Sequence, residues 1–344
     1  MSERFTVATS TRTSRAALVG MLLLLAGLIA GPWWLGRGDL RLAVEIGTLL
    51  ALAQMWNLLA GYAGLVSVGQ QAFVGLGGYA LFVGGVFLGL NPLLCIPLAG
   101  LAAALFAIPT AAVVFRLRAA YFAIGTWVVA EVYMLGFAQV SALGGGSGMS
   151  LPTDVVRRVA EDAGGRDALI YWSALALAVG ATGMVYGLLR SRHGLALTAI
   201  RDSEPAAESV GVDNARTRWL VYIAAAFVTG MAGALIFLSK LRISPEAAFN
   251  VVDWTAYVIF IVVIGGVGRI EGPIVGTIVF FVLRAFLADL GAIYLIVLGL
   301  LAVAVMLVAP QGLWGLLAER AGIELFPVRR RLIVHANGQR ERQA

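Results

Sequence analysis

Apolar residues fill long, nearly unbroken stretches, at roughly 16–35, 42–60, 66–89, 93–115, 120–140, 168–190, 219–239, 254–267, 273–288 and 291–309. Most of these runs reach the length of about 20 residues that a helix rising about 1.5 Å per residue needs to cross a ~30 Å hydrocarbon core. The runs are continuous. A transmembrane barrel would instead show ~10-residue strands alternating apolar and polar positions. The pattern therefore predicts an all-α integral membrane protein, a polytopic bundle of about ten (8–10) transmembrane segments, some of them short or broken.

The run from Trp254 to Val267 covers only ~21 Å, too little to cross upright, and glycines and Pro273 interrupt the chain just beyond it. Broken helices are tolerated in a membrane only where protein or a water-filled cavity covers the freed backbone groups, and they often lie near transport routes. Small residues recur at four-residue spacing elsewhere: Gly85 and Gly89; Ala99, Ala103, Ala107 and Ala111; Gly268, Gly272 and Gly276. Such stripes let helix backbones approach closely, which predicts tight packing and implies no ligand.

Composition narrows the class. The chain is 60% hydrophobic with a mean hydropathy of +0.90, far outside the soluble range. Its single cysteine, Cys95, excludes a disulfide framework or thiolate metal cluster, and two histidines, His193 and His335, argue against a His-based metal site. Lys240 is the only lysine and follows Ser239, so the Gly-Lys-Ser/Thr phosphate loop is missing, as is G-x-G-x-x-G. With no serine elbow, His-rich helix or paired intramembrane aspartates either, the residues point away from an enzyme, and no cofactor is expected in this chain.

The net charge of +6 fits cationic cytoplasmic loops better than a nucleic-acid partner. With ten crossings and the N-terminus inside, 17 arginines fall on the cytoplasmic side and 7 basic residues outside, leaving Arg284 within a span. This predicts a cytoplasmic N-terminal tail (1–15), one permease domain (16–315) and a cytoplasmic C-terminal tail (316–344), with longer outer segments at 141–167 and 240–253. Arg12 and Arg15 precede the first run as in a signal peptide. Its length, and the lack of a small-x-small cleavage site in "AGPWWLG", predict a retained helix.

Polar groups within the oily spans are the candidate chemistry. In "WNLLAGYAGLVSVGQQAFVGLGGY", from Trp56 to Tyr79, Gly61 and Gly64 break a helix beside Asn57, Ser67, Gln70 and Gln71. These groups either hydrogen-bond neighbouring helices, at about 1 kcal/mol each, or line a route for a polar solute. Glu131 lies mid-span, where an ionised carboxylate costs several kcal/mol unless paired or solvated; Arg284 is a candidate partner, and a structural acid, a pathway-lining acid and a proton site are the alternatives. Glu45 and Asp289 lie nearer span ends, within reach of water.

The remaining oddity is the insert between Arg190 and Arg218, with nine charged residues among 29, against 13% for the whole chain. Ser203 can cap a helix beginning at Glu204, Pro205 suits its first turn, Glu208 stands one turn further on, and Gly211 is a natural stop. A helix of about seven residues is unstable alone in water and needs a partner surface. Ala206, Ala207 and Val210 give it a small apolar side for a groove. An ordinary solvated loop is the alternative.

"AIRDSEPAAESVGVDNARTRWLVYIAAAFVTGMAGAL" resembles the cytoplasmic coupling segment of ABC-type branched-chain amino acid permeases, the LivM/LivH family. "NLLAGYAGLVSVGQQAFVGLGGYA", "LRAAYFAIGTWVVAEV", "GGGSGMSLP" and "VVIGGVGRIEGPIVGTIV" are similar to further family stretches, and the likeness spans roughly residues 40–315. It places Arg201, Asp202, Glu204, Ala207 and Gly211, with Gly64, Ser67, Gly69 and Phe73, on family-motif positions. Gln70 stands where many members have His and Gln71 where small residues are usual, so urea, amides and other amino acids stay open as substrates beside branched-chain and other hydrophobic ones. The resemblance implies two cytoplasmic ATPase subunits that use the ATP, a homologous second permease, an extracytoplasmic binding protein and a place in the bacterial inner membrane. Arg201, Asp202, Glu204, Ala207, Glu208 and Gly211 are the expected ATPase-coupling residues. Asn57, Gly61, Gly64, Ser67, Gln70, Gln71, Phe73 and Glu131 are the translocation-path candidates. An ion-coupled secondary transporter is the reading from another class.

Overall fold

The computed structural model describes residues 4–8, 12–287, 291, 293–321, 325–326 and 331–335. Eight helical stretches among them are long and apolar enough to cross a membrane. The first of the ten expected spans is met by α1 (Arg12–Ile29), and the ninth by α13 (Glu271–Leu287), at 17 residues. The others are α2 (Arg37–Asn57), α3 (Gln70–Phe82), α4 (Pro92–Val114), α5 (Ala120–Ala138), α7 (Ala163–Arg190), α10 (Asn214–Lys240), α12 (Tyr257–Gly265) and α14 (Ile293–Val308).

The run expected to be too short is longer than its apolar core. α11 (Pro245–Ala248) and a π-helical turn at Val252–Ala256 precede α12, so helical structure reaches back to Pro245 and the stretch spans 21 residues. Ser244 caps it, its Oγ accepting the N–H of Ala247, and polar Asn250 and Asp253 hid this outer half from an apolar-run reading. The break after it is as expected, with Gly266 and Gly268 both at positive φ.

The core forms around α10, which packs on α3 and α4, with α2 and α7 behind; 72% of its apolar window is buried. The alanine stripe of α4 makes the closest seam. Ala99, Ala103, Ala107 and Ala111 are fully buried, and a Cβ on Gly230 of α10 would meet Ala103 Cβ and, at 2.8 Å, the Ala99 carbonyl. The small-residue spacing thus does what it predicts there. It also does so at Gly272 and Gly276 of α13, which face the carbonyls of Gly266 and Ile261, while Gly268 falls in the break and off any stripe. By contrast only 17% of the α5 window and 11% of the α14 window are buried.

Two small antiparallel sheets supplement the bundle, an element absent from the all-helix expectation. β1 (Arg4–Ala8) pairs with β4 (Arg331–His335), bringing the two ends of the chain together. β2 (Met149–Ser150) pairs with β3 (Arg242–Ile243), joining the two longer segments expected to lie outside. Gly148, at φ +74, lets this pairing form, because a Cβ there would stand 2.6 Å from Ser244 Cα. A short helix, α6 (Thr153–Arg157), follows β2.

Candidate functional site

α2 does not stop cleanly at Asn57. It runs on as a π-helical turn, Leu58–Tyr62, and then breaks, with Gly64 at φ +68 supplying a backbone conformation that other residues rarely adopt. The break leaves polar groups in an apolar interior, and most find a partner among their neighbours, although Gln70 Oε1 and Gln71 Nε2 have none among the described residues. Trp56 Nε1 donates to the Ser67 carbonyl at 2.8 Å, the Val68 N–H to Thr126 Oγ1 at 3.0 Å, and Gln70 Nε2 to the Leu52 carbonyl at 2.8 Å. Ser67 Oγ accepts the Gly69 N–H at 3.2 Å. Gln71 Oε1 accepts the Thr255 hydroxyl, tying α3 to the start of the α12 span.

The second break, between α12 and α13, is satisfied by α2. Asn57 Oδ1 accepts the Gly268 N–H and its Nδ2 donates to the Arg269 carbonyl, both at 2.8 Å, while Gln54 Nε2 donates to the Ile270 carbonyl at 2.9 Å. Gly61 is pressed so close that a Cβ there would lie 2.5 Å from the Gly268 nitrogen. The two glycine-rich motifs are therefore one joint. Asn57, Gly61, Ser67, Gln70, Gln71 and Phe73 are buried in or beside it, Phe73 packing edge-on against Tyr222, and Gly64 is exposed at its rim.

Glu131 stands apart from these residues. It is half-buried on the bare helix α5 and accepts a hydrogen bond from Trp127 Nε1 at 3.0 Å. Arg284 is not its partner: that guanidinium pairs with Glu45 at 2.6 Å, because α2 and α13 run side by side. Asp289 lies outside the described residues.

The charged insert folds as two helices where one was expected. α8 (Arg192–Asp202) begins at Ser191, whose Oγ accepts the His193 N–H at 3.2 Å, and it buries Gly194, Leu197 and Ile200 at helical spacing. That apolar period and the preceding serine are readable in the sequence. α9 (Glu204–Ser209) is the expected short helix, with Ser203 Oγ accepting the Ala206 N–H and Gly211 at φ +86 just beyond.

The apolar side of α9 is divided. Ala207 is 1% exposed, packed under its own chain, whereas Val210 is 77% exposed and Leu195 of α8 is 75% exposed. Glu204 and Glu208, though exposed, are also held by their own chain. Arg218 Nη1 and Nη2 hold the Glu204 carboxylate at 2.6 and 3.1 Å, and Asn214 Nδ2 donates to the Glu208 carboxylate and the Glu204 carbonyl, each at 3.1 Å. Asp202 pairs with Arg201 at 3.5 Å, and Arg201 Nη1 donates to the carbonyl of Gly61 at 3.4 Å. The insert is thus seated on α10 and touches the glycine joint.

Fold and site together define a polytopic α-helical membrane protein that carries a structured two-helix insert wired to an interior joint. Residues 40–309 match the family described as "Branched-chain amino acid transport system / permease component", and the chain belongs to that family, a transport component. It is 29% identical over 326 residues to the high-affinity branched-chain amino acid transport system permease protein LivM of Escherichia coli K12, covering 88% of this chain and 76% of that one. The LivM of Salmonella typhimurium is likewise 29% identical, over 85% of this chain and 74% of its own. A probable LivM of Methanocaldococcus jannaschii is 26% identical over 54% of this chain and 51% of its own. No solved structure matches the chain.

Proposed function

We propose that this chain is the permease subunit of an ATP-driven importer of branched-chain or other hydrophobic amino acids in the bacterial inner membrane. Two separate ATPase subunits hydrolyse the ATP and dock through residues 190–218; a homologous second permease completes the channel, and an extracytoplasmic binding protein delivers the solute. The observation that carries this reading is the contact of Arg201 with the Gly61 carbonyl. A push on α8 and α9 reaches the point where both broken helices meet. The pairing of β1 with β4 supports two cytoplasmic termini, since ends that touch lie on one side of the bilayer and require an even number of crossings.

Docking then falls to the exposed apolar residues Leu195 and Val210, while Ala207 seats α9 and Glu204, Glu208, Asp202 and Gly211 shape it. Val210→Arg and Leu195→Arg are expected to abolish co-purification of the ATPase subunits and solute uptake, with normal membrane accumulation. Full capture and uptake in the double variant return the insert to an ordinary loop. Uptake that persists in ATP-depleted vesicles under a proton gradient identifies an ion-coupled transporter instead.

A further inference from the structure

We propose that Glu131, braced by Trp127, receives the ammonium group of the transported solute. The inference rests on the permease reading above and adds to it a chemical role for one residue. Glu131 is the twelfth residue of the 19 in α5, about 17 Å from its start and close to the middle of the span. At about 100° per residue it lies some 20° from Ile124 and 40° from Leu135, both exposed. The carboxylate is therefore half-buried at the edge of the face that this chain leaves bare.

A charged group on a lipid-facing helix centre costs about 3 kcal/mol, so a carboxylate on that face belongs against water, a partner or a solute. Among the described residues no cation lies within ion-pairing distance of Glu131, and Arg284 is taken by Glu45. Trp127 binds only Oε1, which orients the group and leaves Oε2 open. The missing positive charge then has to arrive with the solute.

The surroundings fit one solute chemistry. Ile124, Val128, Val132 and Leu135 are exposed around the carboxylate, and the Trp127 indole is exposed one turn away. An ammonium held by carboxylate and indole, with an aliphatic chain on the neighbouring methyl groups, satisfies all of them together. A solute lacking the ammonium leaves the carboxylate unpaired.

The test uses the complete complex, with its partner permease and ATPase subunits, in lipid nanodiscs. A hydrophobic diazo reagent, which esterifies protonated carboxyls with loss of N2 and does not couple amines, labels Glu131 in excess over the solutes, read by peptide mass spectrometry, with leucine, 3-methylbutylamine or 4-methylpentanoate added. Saturating leucine and the amine are expected to reduce labelling about tenfold, and the acid to leave it unchanged. Equal labelling in all arms, or protection by the acid, overturns the site. Glu131→Gln is expected to lower leucine uptake at least about tenfold with assembly intact, and Glu131→Asp to restore part of it. Loss of assembly in Glu131→Gln overturns the proposal in favour of a subunit contact. Protection by the amine in a complex that imports no amino acid refutes the transport reading and leaves the site standing; amino acid import without protection refutes the site alone.

Discussion

The side-chain oxygen of Asn57 accepts the main-chain N–H of Gly268 at 2.8 Å, across 211 residues of sequence. With its amide nitrogen on the Arg269 carbonyl, one buried side chain meets two backbone groups that the break between α12 and α13 sets free. Asn57→Ala leaves both unpaired in a dry interior, at about 1–3 kcal/mol each. Thermal unfolding of the purified chain in detergent should show a loss of about 2–4 kcal/mol. Gln54→Ala, which frees only the Ile270 carbonyl, should cost roughly half as much. Equal stability of wild type and Asn57→Ala would mean that the joint does not hold the two breaks together.

The sequence made the existence of this joint readable but not its wiring. Gly61, Gly64 and Asn57 announced a broken helix with amides at membrane depth, and Gly266 to Pro273 announced another. Which break the amides serve is a long-range fact, and no local period encodes it. The same limit governs Arg284. Its charge demanded a partner, and both Glu131 and Glu45 were available; only helix adjacency selected Glu45. The burial of Ala207 was hidden for another reason, since an alanine on a short helix reads alike whether it faces a partner or its own chain.

Glycine positions separate seam from surface. A Cβ on Gly276 runs into the Ile261 carbonyl oxygen, whereas one on Gly180 of α7 meets nothing within 4 Å. Gly276→Ala must push α13 off α12 and should cost more than about 2 kcal/mol, with reduced accumulation in the membrane. Gly180→Ala should change stability by less than about 1 kcal/mol. Comparable losses in both would show that this seam is not close-packed.

The Glu45–Arg284 pair is testable by a double-mutant cycle. Each side chain is 41% exposed, so the pair is partly solvated and its coupling should be on the order of 1 kcal/mol. Glu45→Gln or Arg284→Leu alone should each destabilise the fold more than the double change does, because a single change strands a charge within the span. Additive effects would mean that the two side chains do not interact.

Asp162 gives a pH signature outside the membrane spans. Its carboxylate caps α7 by accepting the Gly165 N–H at 2.7 Å, and this hydrogen bond holds its pKa below the ordinary 3.8. A folded-state pKa lowered in this way means the capping stabilisation is fully present above about pH 4 and fades as pH falls through the lower folded value. Amide exchange at Gly165 should therefore quicken in acid in the native chain. Asp162→Asn should show no such acid step, and an unchanged profile in it would exclude the cap as the cause.

The β2–β3 pairing and its neighbours make the two ends of the bundle unequal. On one side β2 and β3 are joined by main chain, the Leu151 N–H reaches the Leu241 carbonyl at 2.9 Å, and Trp254 Nε1 binds the Ala247 carbonyl at 2.8 Å. On the other, the α2, α8 and α12–α13 junctions are linked by the side chains of Gln54, Asn57 and Arg201. Backbone pairs carry no rotatable side chain, so the first end is the stiffer of the two. In mechanical terms the β2–β3 corner is placed to act as a fulcrum and the glycine joint as a free arm. On the proposed coupling, a small stroke applied near Arg201 would swing helices about a fixed rim.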